Sequence, residues 1–107
     1  GQVIKGGEVV VRGPGGKELT RVPLCAELTV GRVQGNDIVI AAGNISKRHA
    51  RIVVRDGKAI VVDLKTTNGT YVNVKRVISP IVLKPSDRVV VGDHTLEVVN
   101  AEPGDKK

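Results

Sequence analysis

The chain has 107 residues, a formal net charge of +6 and a hydrophobic fraction of 40%, values that fit one domain with a modest core. No apolar run reaches the roughly 18 residues of a membrane-spanning helix, and no N-terminal segment has the layout of a signal peptide. Cys25 is the single cysteine, which rules out an internal disulfide and a cysteine-based zinc site. We therefore expect no metal, no cofactor and a reduced, cytoplasmic setting.

The positive charge favours an anionic partner. Nucleic acid is one candidate, but the chain has one Tyr and no Phe or Trp, so it lacks the aromatic stacking surface of single-strand binders. It also lacks a long basic helix of the kind that enters a major groove. A basic nucleic-acid-binding β domain stays as an alternative, and we expect no nucleic-acid partner.

Val, Ile and Thr dominate short runs that Gly, Pro, Asn and Asp interrupt at intervals of about 8–12 residues, a pattern typical of strands. Asp56-Gly57 is a two-residue hairpin signal, and Gly92-Asp93 links the last two predicted strands in a similar way. In chain order, we predict strands near Glu8–Arg12, Glu27–Val30, Asp37–Ile40, Ala50–Arg55, Lys58–Asp63, Thr70–Val72, Ile81–Leu83, Arg88–Val91 and His94–Asn100.

No long stretch shows helical periodicity, so the predicted fold is all-β, a two-sheet antiparallel sandwich with its loops collected at the ends. We assign residues 1–7 to an N-terminal extension, residues 8–100 to the folded domain and residues 101–107 to a C-terminal linker or tail. These ends indicate a module of a larger protein.

Three short segments at predicted strand boundaries carry groups that suit a phosphate on an extended peptide. They are Gly31-Arg32, Ser46-Lys47-Arg48-His49 and Thr67-Asn68-Gly69-Thr70. A guanidinium matches phosphate oxygens with paired N–H donors, a serine hydroxyl can donate a further bond, and an asparagine amide can bond to a peptide backbone. Since binding residues concentrate on loops of a rigid scaffold, we predict that these loops converge on one end.

Each of these residues also has a plainer interpretation when it is taken alone. Arg32 would be a surface arginine after a turn glycine, and Ser46 would bond through its hydroxyl to its own turn. Lys47 and Arg48 would be solvated charges. For His49 we favour a structural role, in which the ring holds the loop through backbone hydrogen bonds.

Taken in order, the three segments make the chain resemble the forkhead-associated (FHA) domain family. The similarity covers roughly residues 8 to 100. The resemblance implies a sandwich of eleven strands that binds phosphothreonine in an extended peptide without catalysis, in Ser/Thr kinase signalling or regulated assembly. Further stretches that carry it are Asn36–Ile40, Asp63–Asn73, Leu83, Asp87–Val89 and Gly92-Asp93.

By motif position, Arg32 and Ser46 would contact the phosphate with Lys47 in support. Asn68 would hold the peptide main chain just after the phosphothreonine with Thr67 in support, and we add Arg48 to the peptide-binding residues. Gly31, His49 and Gly69 would shape the loops.

Two positions depart from the family pattern. Val74 follows Asn73 where glycine is usual, so this turn must avoid a positive φ there or bear strain. Ser86 precedes Asp87 where glycine is common. The loop over residues 41–44 lacks the acidic residues or proline often found there, which leaves peptide selectivity open.

Two further function classes compete with this interpretation. An enzyme that used Ser46 as nucleophile and His49 as base would lack both a nucleophile elbow and an acid partner for the histidine, so we predict that the chain is not an enzyme. A phospho-independent FHA-fold scaffold or oligomerisation module remains an alternative.

Overall fold

The structure is a computed structural model that describes residues 3–99, with side chains from Gly7 onward. A single 3-10 turn at Pro14–Gly16 follows the first strand. No helix in residues 3–99 is long and apolar enough to cross a membrane. The strands are β1 (Val3–Arg12), β2 (Glu18–Cys25), β3 (Glu27–Gly31), β4 (Ile38–Val39), β5 (Ala50–Arg55), β6 (Lys58–Asp63), β7 (Thr70–Val72), β8 (Lys75–Arg76), β9 (Ile81–Val82), β10 (Val89–Val91) and β11 (His94–Val99).

These strands form two sheets. One has six strands in the order β2-β1-β11-β10-β7-β8, and the other has five in the order β4-β3-β5-β6-β9. Neighbouring strands are antiparallel apart from β3 and β4, which pair in parallel. The predicted all-β, two-sheet sandwich of eleven strands is confirmed, with this one parallel pair as a local correction.

The strand bounds differ from the prediction mainly at the first sheet's edges. β1 begins at Val3, so the predicted domain start at Glu8 falls inside a strand. β2 and β8 were not predicted, and both are edge strands. The predicted strand end at Asn100 and the predicted tail at residues 101–107 lie outside the described residues.

The turns follow the backbone chemistry of their residues. The β5–β6 hairpin turns through Asp56 and Gly57 with φ values of 52° and 76°, which confirms the two-residue turn. In the β7–β8 turn the positive φ falls on Asn73, at 57°, and not on Val74. Ser86 adopts a φ of 74°, a conformation that favours glycine.

The hydrophobic core lies between the sheets, and its buried cluster consists of aliphatic side chains. Alternation along the strands sends one face of each sheet inward, as with the fully buried Ile52 of β5 and the almost fully buried Leu96 of β11. The buried cluster comprises Val9, Val11, Leu24, Leu28, Val30, Ile38, Ile40, Ile45, Ala50, Ile52, Val61, Val72, Val77, Val89, Val91 and Leu96.

Candidate functional site

The end of β3 and the loop before β5 are joined by backbone hydrogen bonds. The Arg32 N–H donates to the Ser46 carbonyl over 2.9 Å, and the His49 N–H donates to the Val30 carbonyl over 2.8 Å. The Gly31 carbonyl accepts from the Ile40 N–H over 2.9 Å. The first two of the three predicted segments therefore meet directly.

Gly31 is required here by a close approach of two backbones. A Cβ at this position would overlap the Lys47 carbonyl and lie 2.6 Å from Asn36 Nδ2. The buried Asn36 amide bonds the same Lys47 carbonyl over 2.9 Å and the Val33 carbonyl over 2.8 Å. The missing side chain of Gly31 thus allows the strand that carries Arg32 to touch the loop that carries Ser46.

The Arg32 side chain is exposed, but a hydrogen bond anchors it to the neighbouring loop. Its Nε donates to the Ile45 carbonyl over 3.0 Å, which fixes the base of the guanidinium. Neither terminal amino group bonds to any residue of the described chain. These two groups are the paired N–H donors that match a phosphate.

Ser46 is half-buried and its hydroxyl forms no hydrogen bond within residues 3–99. The local turn bond that would make Ser46 a purely structural residue is therefore not formed. The side chains of Lys47 and Arg48 are exposed, and neither has a carboxylate partner in the described part of the chain. The loop presents a free hydroxyl beside two unpaired cations.

His49 is fully buried and joins the second predicted segment to the third. Its Nδ1 accepts from the Ser46 N–H over 2.9 Å, and its Nε2 bonds the Gly69 carbonyl over 2.9 Å. A carbonyl cannot donate, so the ring carries its proton on Nε2. Both ring nitrogens are thus used by backbone groups.

The loop after β6 is shaped by Asp63 and Thr66. The Asp63 carboxylate accepts from the Thr66 and Thr70 hydroxyls over 2.8 and 2.7 Å and from the Thr66 N–H over 3.1 Å. The Thr66 hydroxyl in turn accepts from the Gly69 N–H over 2.9 Å. Burial raises the pKa of Asp63, but these hydrogen bonds from Thr70 and Thr66 outweigh it, so the pKa lies below its ordinary value.

Thr67 and Asn68 lie exposed on the rim of this loop. Asn68 Nδ2 donates to the Asn44 backbone carbonyl over 3.2 Å. The side-chain oxygen of Asn68, Oδ1, forms no hydrogen bond within residues 3–99. Gly92, at the β10–β11 turn, also packs on Asn44, since a Cβ there would lie 2.8 Å from Asn44 Oδ1. Asn44 therefore contacts both the loop that carries Asn68 and the β10–β11 turn that carries Gly92.

Sequence reasoning missed four residues that hold the site: Asn36, Asn44, Asp63 and Thr66. Asn36 and Asp63 lie in stretches that carry the family resemblance, but nothing in their local sequence assigns them a hydrogen-bond partner. For Asn44, the sequence shows only that its loop lacks acidic residues and proline. Their partners lie up to 24 residues away along the chain, so only the fold reveals them.

The matching family is described as the FHA domain, and its model matches residues 28–92. That span contains all three segments and most of the second sheet. The chain belongs to the FHA domain family.

Two curated relatives of this FHA domain are regulatory proteins. The transcriptional regulatory protein EmbR of Mycobacterium tuberculosis is 37% identical over 73 residues, which cover 67% of this chain and 19% of EmbR. The glycogen accumulation regulator GarA of Mycolicibacterium smegmatis is 33% identical over 99 residues, which cover 91% of this chain and 60% of GarA. The chain thus spans about a fifth of EmbR and three fifths of GarA.

Solved structures show the same architecture. Mycobacterium tuberculosis EmbR in complex with a low-affinity phosphopeptide superposes with a TM-score of 0.75 at 28% identity, over 88% of this chain and 24% of that one. The solution structure of an Arabidopsis thaliana FHA domain gives 0.78 at 28% identity, over 95% and 91%.

Proposed function

We propose that this FHA domain binds phosphothreonine in an extended peptide of a partner protein, without catalysis, in Ser/Thr kinase signalling or regulated assembly. The observation that carries the proposal is the pairing of an anchored Arg32 guanidinium, with both terminal amino groups free, and an unbonded Ser46 hydroxyl. Their backbones are hydrogen-bonded to each other. The EmbR relative, whose structure contains a phosphopeptide, supports the same use of the fold.

The division of labour follows from the position of each group. A phosphothreonine carries a charge of about −1.5 to −2 and three acceptor oxygens. The Arg32 fork and the Ser46 hydroxyl would bind these oxygens, with Lys47 adding positive potential. Asn68 would bind the peptide main chain through its free amide oxygen, while Thr67 and Arg48 line the peptide's path.

Gly31, His49 and Gly69 would place these groups without touching the peptide. Gly31 permits the close approach of Lys47, and His49 sets the distance between the Ser46 and Gly69 loops. Because the ring is buried and bonded at both nitrogens, it has no atom left to bind a phosphate.

Threonine is favoured over serine if its methyl group enters an apolar pocket. One buried methyl-sized group contributes about 0.8 kcal/mol, or roughly a fourfold preference. A larger preference would require steric selection as well.

The deciding experiment is a polarisation titration of one peptide in phosphothreonine, phosphoserine and unphosphorylated forms. We expect Arg32→Ala to weaken phosphothreonine binding by at least about 100-fold, because a charge-assisted bidentate contact is lost. The fold should stay intact, with at most a small fall in Tm from the lost bond to the Ile45 carbonyl. Arg55→Ala is the matched control, since Arg55 is exposed in the β5–β6 hairpin. Unchanged affinity in Arg32→Ala would refute the assignment.

The same titration separates the alternatives. A phospho-independent scaffold would bind all three peptides equally, and a nucleic-acid-binding domain would bind DNA or RNA with a steep salt dependence and ignore the phosphopeptide. An enzyme based on Ser46 and His49 is disfavoured because both His49 ring nitrogens bond to backbone groups. Turnover of an ester that vanished in Ser46→Ala would reverse that conclusion.

We further propose a cytoplasmic location and a place within a larger protein. Cys25 is a free thiol, which suits a reducing compartment. The proposed ligand is a peptide that a Ser/Thr kinase has phosphorylated, which supports the same location. The assignment of residues 8–100 to the domain, between an N-terminal extension and a C-terminal linker, stays a prediction.

A further inference from the structure

A groove of about 590 Å³ lies beside the proposed peptide site. One wall is formed by the end of β6 and the residues after it, and the other by the segment from β8 toward β9. Since β8 and β9 are the edge strands of different sheets, the groove follows an open side of the sandwich. We call it the edge groove; its argued lining residues are Asp63, Lys65, Thr66, Arg76, Ile78 and Pro80.

The edge groove is apolar at its outer wall. Ile78 lines it and is 88% exposed, and Val82 of β9 and Val74 of the β7–β8 turn are 48% and 95% exposed. Of the five large hydrophobic side chains that are exposed in the described part of the chain, these three fall within nine residues. Val74 and Val82 do not line the groove, so its exposed apolar wall consists of Ile78 and Pro80. Exposed apolar side chains at a groove are a feature of contact surfaces.

The groove is also positively charged. Lys65 and Arg76 line it, and neither has a carboxylate partner among residues 7–99. Its acidic residue, Asp63, stays ionised while it accepts from the hydroxyls of Thr66 and Thr70, so the lining carries two cations against one carboxylate. A segment with an acidic side chain beside an apolar one therefore complements the groove in both charge and hydrophobicity.

Arg76 connects the edge groove to the proposed peptide site. Its Nη2 lies 3.5 Å from the carbonyl oxygens of both Thr66 and Thr67. Thr66 lines the groove, and Thr67 lies on the rim where the peptide is proposed to bind. A chain held at Thr67 and Asn68 is thus one residue from the groove wall.

We infer that the edge groove is a second contact for the same phosphorylated partner, and that it takes an acidic and apolar segment of the partner near the phosphothreonine. This inference rests on the proposed function. A second copy of this chain is a poor occupant, because two molecules with a formal charge of +6 would bring like-charged grooves together. The segment should lie within about six residues of the phosphothreonine, which is roughly 20 Å of extended chain.

The test is a peptide walk read by isothermal titration calorimetry. The parent peptide is a phosphothreonine in an alanine and serine background, and a Leu-Glu pair is moved through each position on both sides. We expect one register to bind about five- to tenfold more tightly than the parent, the size expected of a partly buried leucine and one ion pair.

Two variants assign that gain to the edge groove. Ile78→Ser should remove it without changing the parent's affinity, because Ile78 does not belong to the proposed phosphate site. Lys65→Glu should also remove it and should recover it with a peptide that carries Leu-Lys in place of Leu-Glu. Lys58→Glu, in the distant β5–β6 hairpin, is the matched charge control.

The outcomes separate the two proposals. If no register exceeds the parent, or if the gain survives in Ile78→Ser and Lys65→Glu, the edge groove is not a second contact, although phosphothreonine binding by the parent would stand. If the wild-type chain fails to bind the parent and every walked peptide, the proposed function and the groove proposal are both overturned.

Discussion

At the scale of single residues, the site depends on the lack of a Cβ at Gly31. Gly31 has no side chain, and a Cβ there would overlap the Lys47 carbonyl and crowd Asn36 Nδ2. Gly31→Ala must therefore push apart the two backbones that place Arg32 and Ser46. We expect a loss of about 1–3 kcal/mol in the free energy of unfolding and at least a roughly tenfold loss of phosphopeptide affinity, because binding groups must hold their positions to about 0.5 Å.

The matched control for Gly31→Ala is Gly43→Ala, where a new Cβ would meet no atom within 4 Å. Urea unfolding and a polarisation titration measure both variants. If Gly31→Ala binds and unfolds like Gly43→Ala, the close approach does not matter to the site.

Ser86 is a residue at which the chain carries backbone strain. Its φ of 74° lies in the left-handed region, which costs a residue with a Cβ about 1–2 kcal/mol relative to glycine. Ser86 is exposed and its hydroxyl bonds to no described residue. We expect Ser86→Gly to raise the free energy of unfolding by about 1 kcal/mol while leaving peptide affinity unchanged.

Calorimetric Tm values check this expectation, with Ser79→Gly as the comparison. Ser79 is also exposed but has no positive φ, so glycine there should lower Tm because it adds entropy to the unfolded chain. A Tm for Ser86→Gly at or below that of the wild type would contradict the strain argument.

At the scale of strands and loops, strands were predicted correctly where burial requires a dense run of β-branched residues. They were missed where most of their residues are exposed. β5 and β6 are dense in β-branched residues because they pair in the middle of a sheet. β2 is an edge strand whose first four residues are all exposed, and it contains Pro23, which only an edge strand tolerates. β8 consists of two exposed basic residues, so nothing in the local sequence indicates a strand.

The same contrast holds for the candidate site. The residues proposed to touch the ligand, such as Arg32 and Asn68, could be named from the sequence because three motifs recur in a family's order. The residues that hold them, such as Asn44 and Asp63, bond to partners that become neighbours only after folding. Exposed ligand-binding groups are thus more visible in the sequence than the polar contacts beneath them.

The loop after β6 depends on the ionised form of Asp63. In the folded state the pKa of this carboxyl lies below its ordinary value. The stabilisation is therefore complete above the unfolded-state pKa and is lost as the pH falls through the folded-state pKa. In Asp63→Asn, an amide N–H₂ would face the Thr66 N–H or one of the hydroxyl donors. We expect this variant to lose about 2 kcal/mol of unfolding free energy at pH 7, and the difference from wild type to shrink below about pH 4.

Urea unfolding measured from pH 7 to pH 2.5 tests this expectation. Asp56→Asn is the control, because Asp56 lies in an exposed turn whose positive φ asparagine also tolerates. A difference between Asp63→Asn and wild type that stays constant across the acid range would exclude a role for the charge.

At the scale of the whole molecule, some arginines form ion pairs and others are left without a carboxylate partner. Five ion pairs within residues 7–99 involve Arg12, Arg21, Arg51 and Arg88. Glu97 alone bridges Arg12 and Arg88. Arg32, Lys47 and Arg48, by contrast, have no carboxylate partner in that range. Arg55 and Arg76 are also unpaired within the described residues, but Arg32, Lys47 and Arg48 put three unneutralised cations at one proposed site. Together they can attract an anion from solution.

This charge division predicts how binding responds to salt. Exposed charges are screened within about 10 Å at 0.1 M salt and within about 3 Å at 1 M, so salt should weaken the long-range attraction of the phosphopeptide more than the contacts made after docking. Stopped-flow measurements from about 0.05 to 0.5 M NaCl should show the association rate falling roughly tenfold, with less than about a twofold change in dissociation.

Arg48→Gln should flatten the salt dependence of association, whereas Arg55→Gln in the β5–β6 hairpin should not. If salt instead acts mainly on dissociation, the cations near Arg32 serve as direct contacts and the attraction at a distance is negligible.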